Sequence, residues 1–112
     1  MVKRIAVACE GSGGLEDVVA SMYGRCVSFT IIDVEDGSVG DVKIQPNIYA
    51  NRSEGIGPLV SEMLHKLNVG LAIAGEFGPR VLLVLREVGI KTVVKPPGTV
   101  VGDAIREYLQ NV

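Results

Sequence analysis

The chain has 112 residues, the size of one domain (1–112) and too short for two, and its 47% apolar and 21% charged residues place it outside the disordered and fibrous classes. A formal charge of −2 and a pI near 5.3 exclude the basic surface of an ordinary nucleic-acid binder. No apolar run approaches the ~18 residues of a membrane span.

The residues Met1-Val2-Lys3-Arg4 lead into an apolar stretch without a small-residue cleavage site, so the expected location is the cytoplasm, with no membrane association. Two cysteines, Cys9 and Cys26, are too few for a disulfide framework and stay reduced in that compartment. Eighteen Val and nine Ile against 4% aromatics make a β-branched core that favours strands.

The first strand is predicted over Ile5–Cys9, an apolar run ending at Glu10-Gly11. Gly11 to Gly24 reads as a loop with one helical turn near Asp17 to Met22. Strands over Val27–Val34 and Val39–Gln45 flank a tight turn, Glu35-Asp36-Gly37-Ser38, and Pro46 stops the second of them. Ile56, Leu59, Val60, Met63, Leu64 and Leu67 then form a helical stripe, with Gly57 as N-cap and Pro58 at its first position. Val69–Ala74 is a fourth strand, apolar enough to be covered on both faces. Gly78-Pro79 opens a second helix that closes near Gly89, and Ile90–Val94 is a fifth strand. Thr99 caps a last helix carrying Val101, Ala104, Ile105, Tyr108 and Leu109.

The order β-β-β-α-β-α-β-α specifies an α/β fold, a five-stranded mixed sheet with helices on its faces, in the ribonuclease-H-like arrangement. Its strand directions gather Cys9 to Glu16, Met22 to Cys26, Gln45 to Gly57, Gly75 to Pro79 and Pro96 to Thr99 at one edge, where all three helices begin. Helix starts present unpaired N–H groups and partial positive charge, and Arg25, Arg52, Arg80 and Lys95 add more, so this edge suits an anion. Gly11-Ser12-Gly13-Gly14 offers backbone N–H groups to a phosphate, but lacks the Lys and Ser/Thr of a P-loop.

Catalytic devices are missing. Glu10 and Glu76 end two strands without a third carboxylate, a poor two-metal nuclease site. His65, the one histidine, falls off the apolar stripe and far from the glycine-rich edge, which leaves any nucleophile without a base. No enzyme activity is expected.

Ile5-Ala6-Val7-Ala8 before an acidic-Gly loop, Tyr23-Gly24-Arg25, Phe29 to Asp36, Gly55-Ile56, Ala72-Ile73-Ala74-Gly75 running into Phe77-Gly78-Pro79, and Ala104-Ile105 recur in order along nearly the whole chain. In this the sequence resembles the dinitrogenase iron–molybdenum cofactor biosynthesis family, which includes NifX-type carriers and the C-terminal domain of NifB-type proteins. The resemblance implies a small, non-enzymatic carrier of an anionic iron–sulfur or iron–molybdenum cluster precursor, with cluster donor and acceptor proteins as partners and no nucleic acid. The cofactor site expected at the edge where the helices begin comprises Cys9, Glu10, Gly11, Met22, Tyr23, Arg25, Cys26, Gly57, Gly75 and Gly78. Family members often have His-Phe-Gly-Arg where this chain has Met22-Tyr23-Gly24-Arg25, so a weaker thioether stands at a cluster-ligand position. Cys9 and Cys26, brought to one edge by antiparallel pairing, are the expected metal ligands, since thiolates suit iron–sulfur clusters.

A metal-free anion- or nucleotide-binding regulatory module is the alternative reading. The run Val81-Leu82-Leu83-Val84-Leu85 exceeds what one buried helix face needs, with roughly Val81, Leu82, Leu85 and Val88, or a neighbouring stripe, on the buried side. Leu83 or Val84 then faces away, and a homodimer through helix 79–88 is expected.

Overall fold

The computed structural model describes residues 2–111. Its elements are β1 (Arg4–Cys9), β2 (Ser28–Glu35), β3 (Ser38–Pro46), α1 (Ile56–Lys66), β4 (Leu71–Ala74), α2 (Pro79–Glu87), β5 (Lys91–Val94) and α3 (Val101–Gln110). They make one five-stranded sheet ordered β3-β2-β1-β4-β5, with β1 antiparallel to β2 and parallel to β4. The expected mixed sheet and element order are therefore present. The β2–β3 turn is the two-residue type its sequence demands, with Asp36 and Gly37 both at positive φ (51° and 77°).

Side-chain size divides the two faces. β1 and β4 turn Ala6, Ala8, Ala72 and Ala74 toward α1 and α2, and the space so left is filled by Tyr23, Phe29, Phe77, Val60, Leu64 and Leu85. On the other face the same strands present Ile5, Val7, Cys9, Leu71 and Ile73, which fill the space under α3 through Val101, Ala104 and Ile105. Alternation along β1 thus puts small residues under two helices and large ones under one. The Tyr23 hydroxyl, buried by this packing, hydrogen-bonds Ser61 Oγ at 3.1 Å.

Four local expectations are corrected. Residues 17–22 hold no helical turn: Val18 and Val19 run extended, bridging Val100 and Cys9, because two other segments supply backbone partners. The cap of α1 is Gly55, left-handed at φ 74°, and not Gly57. A Cβ at Gly57 would lie 2.6 Å from Val81 Cγ2, so that glycine lets α1 approach α2. Val100, not Thr99, is the N-cap of α3; the Thr99 hydroxyl donates instead to the Pro96 carbonyl at 2.6 Å. On α2, Leu85 is buried but Leu82 is 41% exposed, so Leu82 does not join the buried side.

At the sheet end away from the helix starts, Arg4 Nε donates to Asp33 Oδ1 at 2.6 Å and Arg4 Nη1 to the Leu67 carbonyl at 2.7 Å. The hydrogen bond from Arg4 holds the Asp33 carboxyl below its ordinary range, and Arg4 and Lys43 add charge attraction. Because the folded value is depressed, this contribution is complete above the unfolded carboxylate pKa and is lost as pH falls through the depressed one. Asp33→Asn should cost about 1 kcal/mol at neutral pH and flatten the acid side of the stability curve below about pH 4, measured by urea unfolding at several pH values.

Candidate functional site

The segment from Gly11 to Val27 builds the candidate edge, and backbone hydrogen bonds fix its path. Ala20 N–H donates to Ala8 (2.8 Å), Val19 N–H to Thr99 (2.8 Å), Gly75 N–H to Ala20 (2.9 Å) and Tyr23 N–H to Glu76 (3.1 Å). Gly75 is required for this closeness, since a Cβ there would sit 2.9 Å from the Ser21 carbonyl oxygen and 3.0 Å from that of Ala20.

The glycine-rich turn is closed from within. Asp17 Oδ2 accepts the N–H groups of Gly11 (3.1 Å) and Gly13 (2.8 Å), Asp17 Oδ1 accepts that of Val18 (2.7 Å), and Gly14 N–H donates to Thr30 Oγ1 (2.9 Å). The protein's own carboxylate holds the place a phosphate would need. Gly11 is thus an internal structural residue, and its carbonyl accepts the Ser28 hydroxyl at 2.7 Å. An Asp just after a glycine-rich turn was the available sign of this arrangement.

The two thiols do not form a ligand pair. Cys9 belongs to the core under α3 and Cys26 to the core under α1 and α2, on opposite faces of the sheet. Cys9 Sγ lies 3.3 Å from the Val7 carbonyl and 3.1 Å from Thr30 Oγ1. Burial pushes the Cys9 thiol up and that of Cys26 up to about 12, so both stay protonated at neutral pH. Among the described residues no group of three His, Cys, Asp or Glu side chains could hold a metal ion.

The edge does bring together Met22, Tyr23, Arg25, Gly57 and Gly78. They line a groove of about 290 Å³ between the starts of α1 and α2, together with Ser53, Glu54, Gly55, Ile56, Glu76 and Val81. Neither helix has a side-chain hydrogen bond at its cap, and at Gly55 and Gly78 a Cβ would meet nothing within 4 Å. Met22, 54% exposed, lines this groove and also a neighbouring depression of about 320 Å³ with Glu10, Arg25 and the buried Cys26 at its wall. Gly75 and Cys9 stand behind the edge as packing residues, while Tyr23 places its ring in the aromatic cluster with Phe29 and Phe77.

Arg25 is anchored: its Nη1 donates to the carbonyls of Ala50 (3.2 Å) and Arg52 (3.0 Å). Lys95 is withdrawn into an ion pair with Glu107 at 2.7 Å. One residue had no distinguishing signal in the sequence. Asn47, buried, donates from Nδ2 to the carbonyls of Gly24 (3.0 Å) and Cys26 (2.9 Å) and accepts the Tyr49 N–H at 3.1 Å. It ties the Tyr23–Cys26 turn to the turn that anchors Arg25.

These features define a small mixed α/β domain with a loop-built groove at the helix-start end of its sheet. The chain belongs to the family described as dinitrogenase iron-molybdenum cofactor, whose model matches residues 3–111. The apo form of the orange protein from Desulfovibrio gigas is 28% identical, with a TM-score of 0.89 over 99% of this chain and 90% of that one. A Thermotoga protein provisionally described as NifB is 29% identical, with a TM-score of 0.79 over 96% and 88%. An uncharacterized protein of Methanocaldococcus jannaschii is 27% identical over 79% of this chain and 74% of its own length. No helix among the described residues is long and apolar enough to cross a membrane.

Two outcomes follow from the closed turn and the buried thiols. Asp17→Ala should strand the N–H groups of Gly11, Gly13 and Val18, costing about 2 kcal/mol and accelerating their hydrogen exchange. A thiol reagent at pH 8 should leave the native chain almost unmodified and should titrate both cysteines once denaturant is added.

Proposed function

We propose that this protein is a non-enzymatic carrier that takes an anionic iron–sulfur or iron–molybdenum cluster precursor as cargo in the groove between α1 and α2. The observation that carries this reading is the convergence of two bare helix starts, capped by Gly55 and Gly78, beside Arg25 and the exposed Met22. Unpaired N–H groups and aligned peptide dipoles favour negative charge there, and no side chain competes for them. Membership in the iron–molybdenum cofactor family and likeness to the orange protein support the cargo class. The ribonuclease-H-like arrangement expected from the sequence is consistent with the sheet order and with a ligand site at this edge.

The donor set fits a loosely held cargo. Met22 is the one exposed sulfur beside the groove among the described residues, while the thiols of Cys9 and Cys26 are buried. Backbone N–H groups and the Arg25 guanidinium would hold cluster sulfides by hydrogen bonding, with Met22 as a soft contact. A cargo so held leaves readily, as delivery from a donor to an acceptor protein requires. The metal-free alternative retains the helix starts but loses the glycine turn, whose N–H groups Asp17 already occupies.

Titration with tetrathiomolybdate, an anionic molybdenum–sulfur species, should shift the amide signals of Arg25, Ile56, Gly57 and Gly78, more weakly as salt is added. Shifts centred on the Asp36-Gly37 turn would contradict the site, and equal affinity for phosphate would favour the metal-free module. Gly78→Ser should cap α2 with its own hydroxyl, raising stability by a few tenths of a kcal/mol while weakening tetrathiomolybdate binding. Glu76→Gln, which removes a carboxylate from the rim, should strengthen tetrathiomolybdate binding, and Met22→His should strengthen binding of an iron-containing cluster by offering iron a better ligand.

A further inference from the structure

On α2 the residues Arg80, Leu83, Val84 and Glu87 stand at spacings i, i+3, i+4 and i+7, which puts them on one stripe of the helix. Leu83 is 60% exposed, Val84 half-buried, and Arg80 and Glu87 are exposed and take part in no ion pair among the described residues. The stripe reads basic, apolar, apolar, acidic. Reversed end to end, it becomes its own complement.

We infer that this stripe is an isologous contact between two copies of the chain, with the α2 helices antiparallel about a two-fold axis between Leu83 and Val84. In that register position 80 lies opposite 87 and position 83 opposite 84. Arg80 therefore meets Glu87 of the partner subunit twice, at both ends of a four-residue apolar centre made by Leu83 and Val84 of each chain. Two-fold symmetry needs one self-complementary patch, and the order of charges on this helix supplies it. Other antiparallel registers lose this match. Centring on Leu83 sets Arg80 opposite Arg86 of the partner subunit, a like-charge pair.

The contact explains why α2 carries more apolar residues than its packing on the sheet and on α1 uses, with only Leu85 fully buried. It also sets the strength. One stripe of a nine-residue helix buries less than the roughly 800 Å² per partner of a stable interface, so association is weak, with a dissociation constant on the order of 100 µM. Since Gly78 and Val81 line the groove, the second copy would place its Glu87 near the α2 end of that groove.

Charge exchange tests the register. Sedimentation equilibrium should show wild type passing from monomer to dimer between about 10 µM and ~1 mM, and Leu83→Glu remaining monomeric with an unchanged circular dichroism spectrum. Arg80→Glu and Glu87→Arg should each weaken self-association about ten-fold, because both cross-pairs become repulsive. A mixture of the two variants should associate again, since every pair in the mixed dimer is then of opposite sign, and the double variant should regain wild-type association. A monomeric wild type at ~1 mM would overturn the inference, as would a mixture that associates no better than its components.

Discussion

The Asp17 carboxylate holds the candidate edge in shape. It sits where the chain leaves β1 and must travel to β2 across the end of the sheet, a path of glycines with no regular partner for its N–H groups. Three of those groups converge on Asp17, and Thr30 takes a fourth. With the turn closed, the next residues run extended between the end of β1 and the start of α3, and then against the end of β4. This fixes where Met22 emerges and where Arg25 is anchored. A half-buried chain with unpaired backbone groups would not keep that path.

The same carboxylate decides which glycine N–H groups stay open at this edge. Gly11 and Gly13 spend their N–H groups internally, whereas Gly55 and Gly78 leave theirs at the mouths of two helices. Gly57 and Gly75 do something different again: each lets another element approach to a distance that a Cβ would forbid. Three uses of one residue type meet within one edge, and only the helix starts keep their N–H groups open.

The architecture was legible because punctuation and period agree along most of the chain. Asp36-Gly37 could only be a hairpin turn, the apolar run of β4 could only be covered on both faces, and Gly78-Pro79 opened α2 where expected. Legibility failed where partners are distant in sequence. Val18 pairs with Val100 and Val19 with Cys9, contacts that leave no local periodicity to mark an extended segment. Gly57 looked like a cap because Pro58 follows it, but its neighbour Val81 lies on another helix. Cys9 ends β1 and Cys26 lies just before β2, yet they fall in the cores on opposite faces of the sheet, and burial makes both poor ligands. The groove carries less positive charge than the sequence suggests, because Lys95 is paired with Glu107 and the carboxylates of Glu54 and Glu76 stand at the rim.

On the proposed function, a groove that would grip its cargo by N–H groups and one guanidinium, without a set of thiolates, suits transfer better than storage. Its most direct test is the metal and sulfide content of the protein purified without oxygen from cells that make such clusters, compared with an Arg25→Ala, Gly78→Ser variant of equal stability. The account predicts iron or molybdenum together with inorganic sulfide on the parent chain, and much less on the variant. Equal metal and sulfide on both chains, or none on the parent, would contradict it.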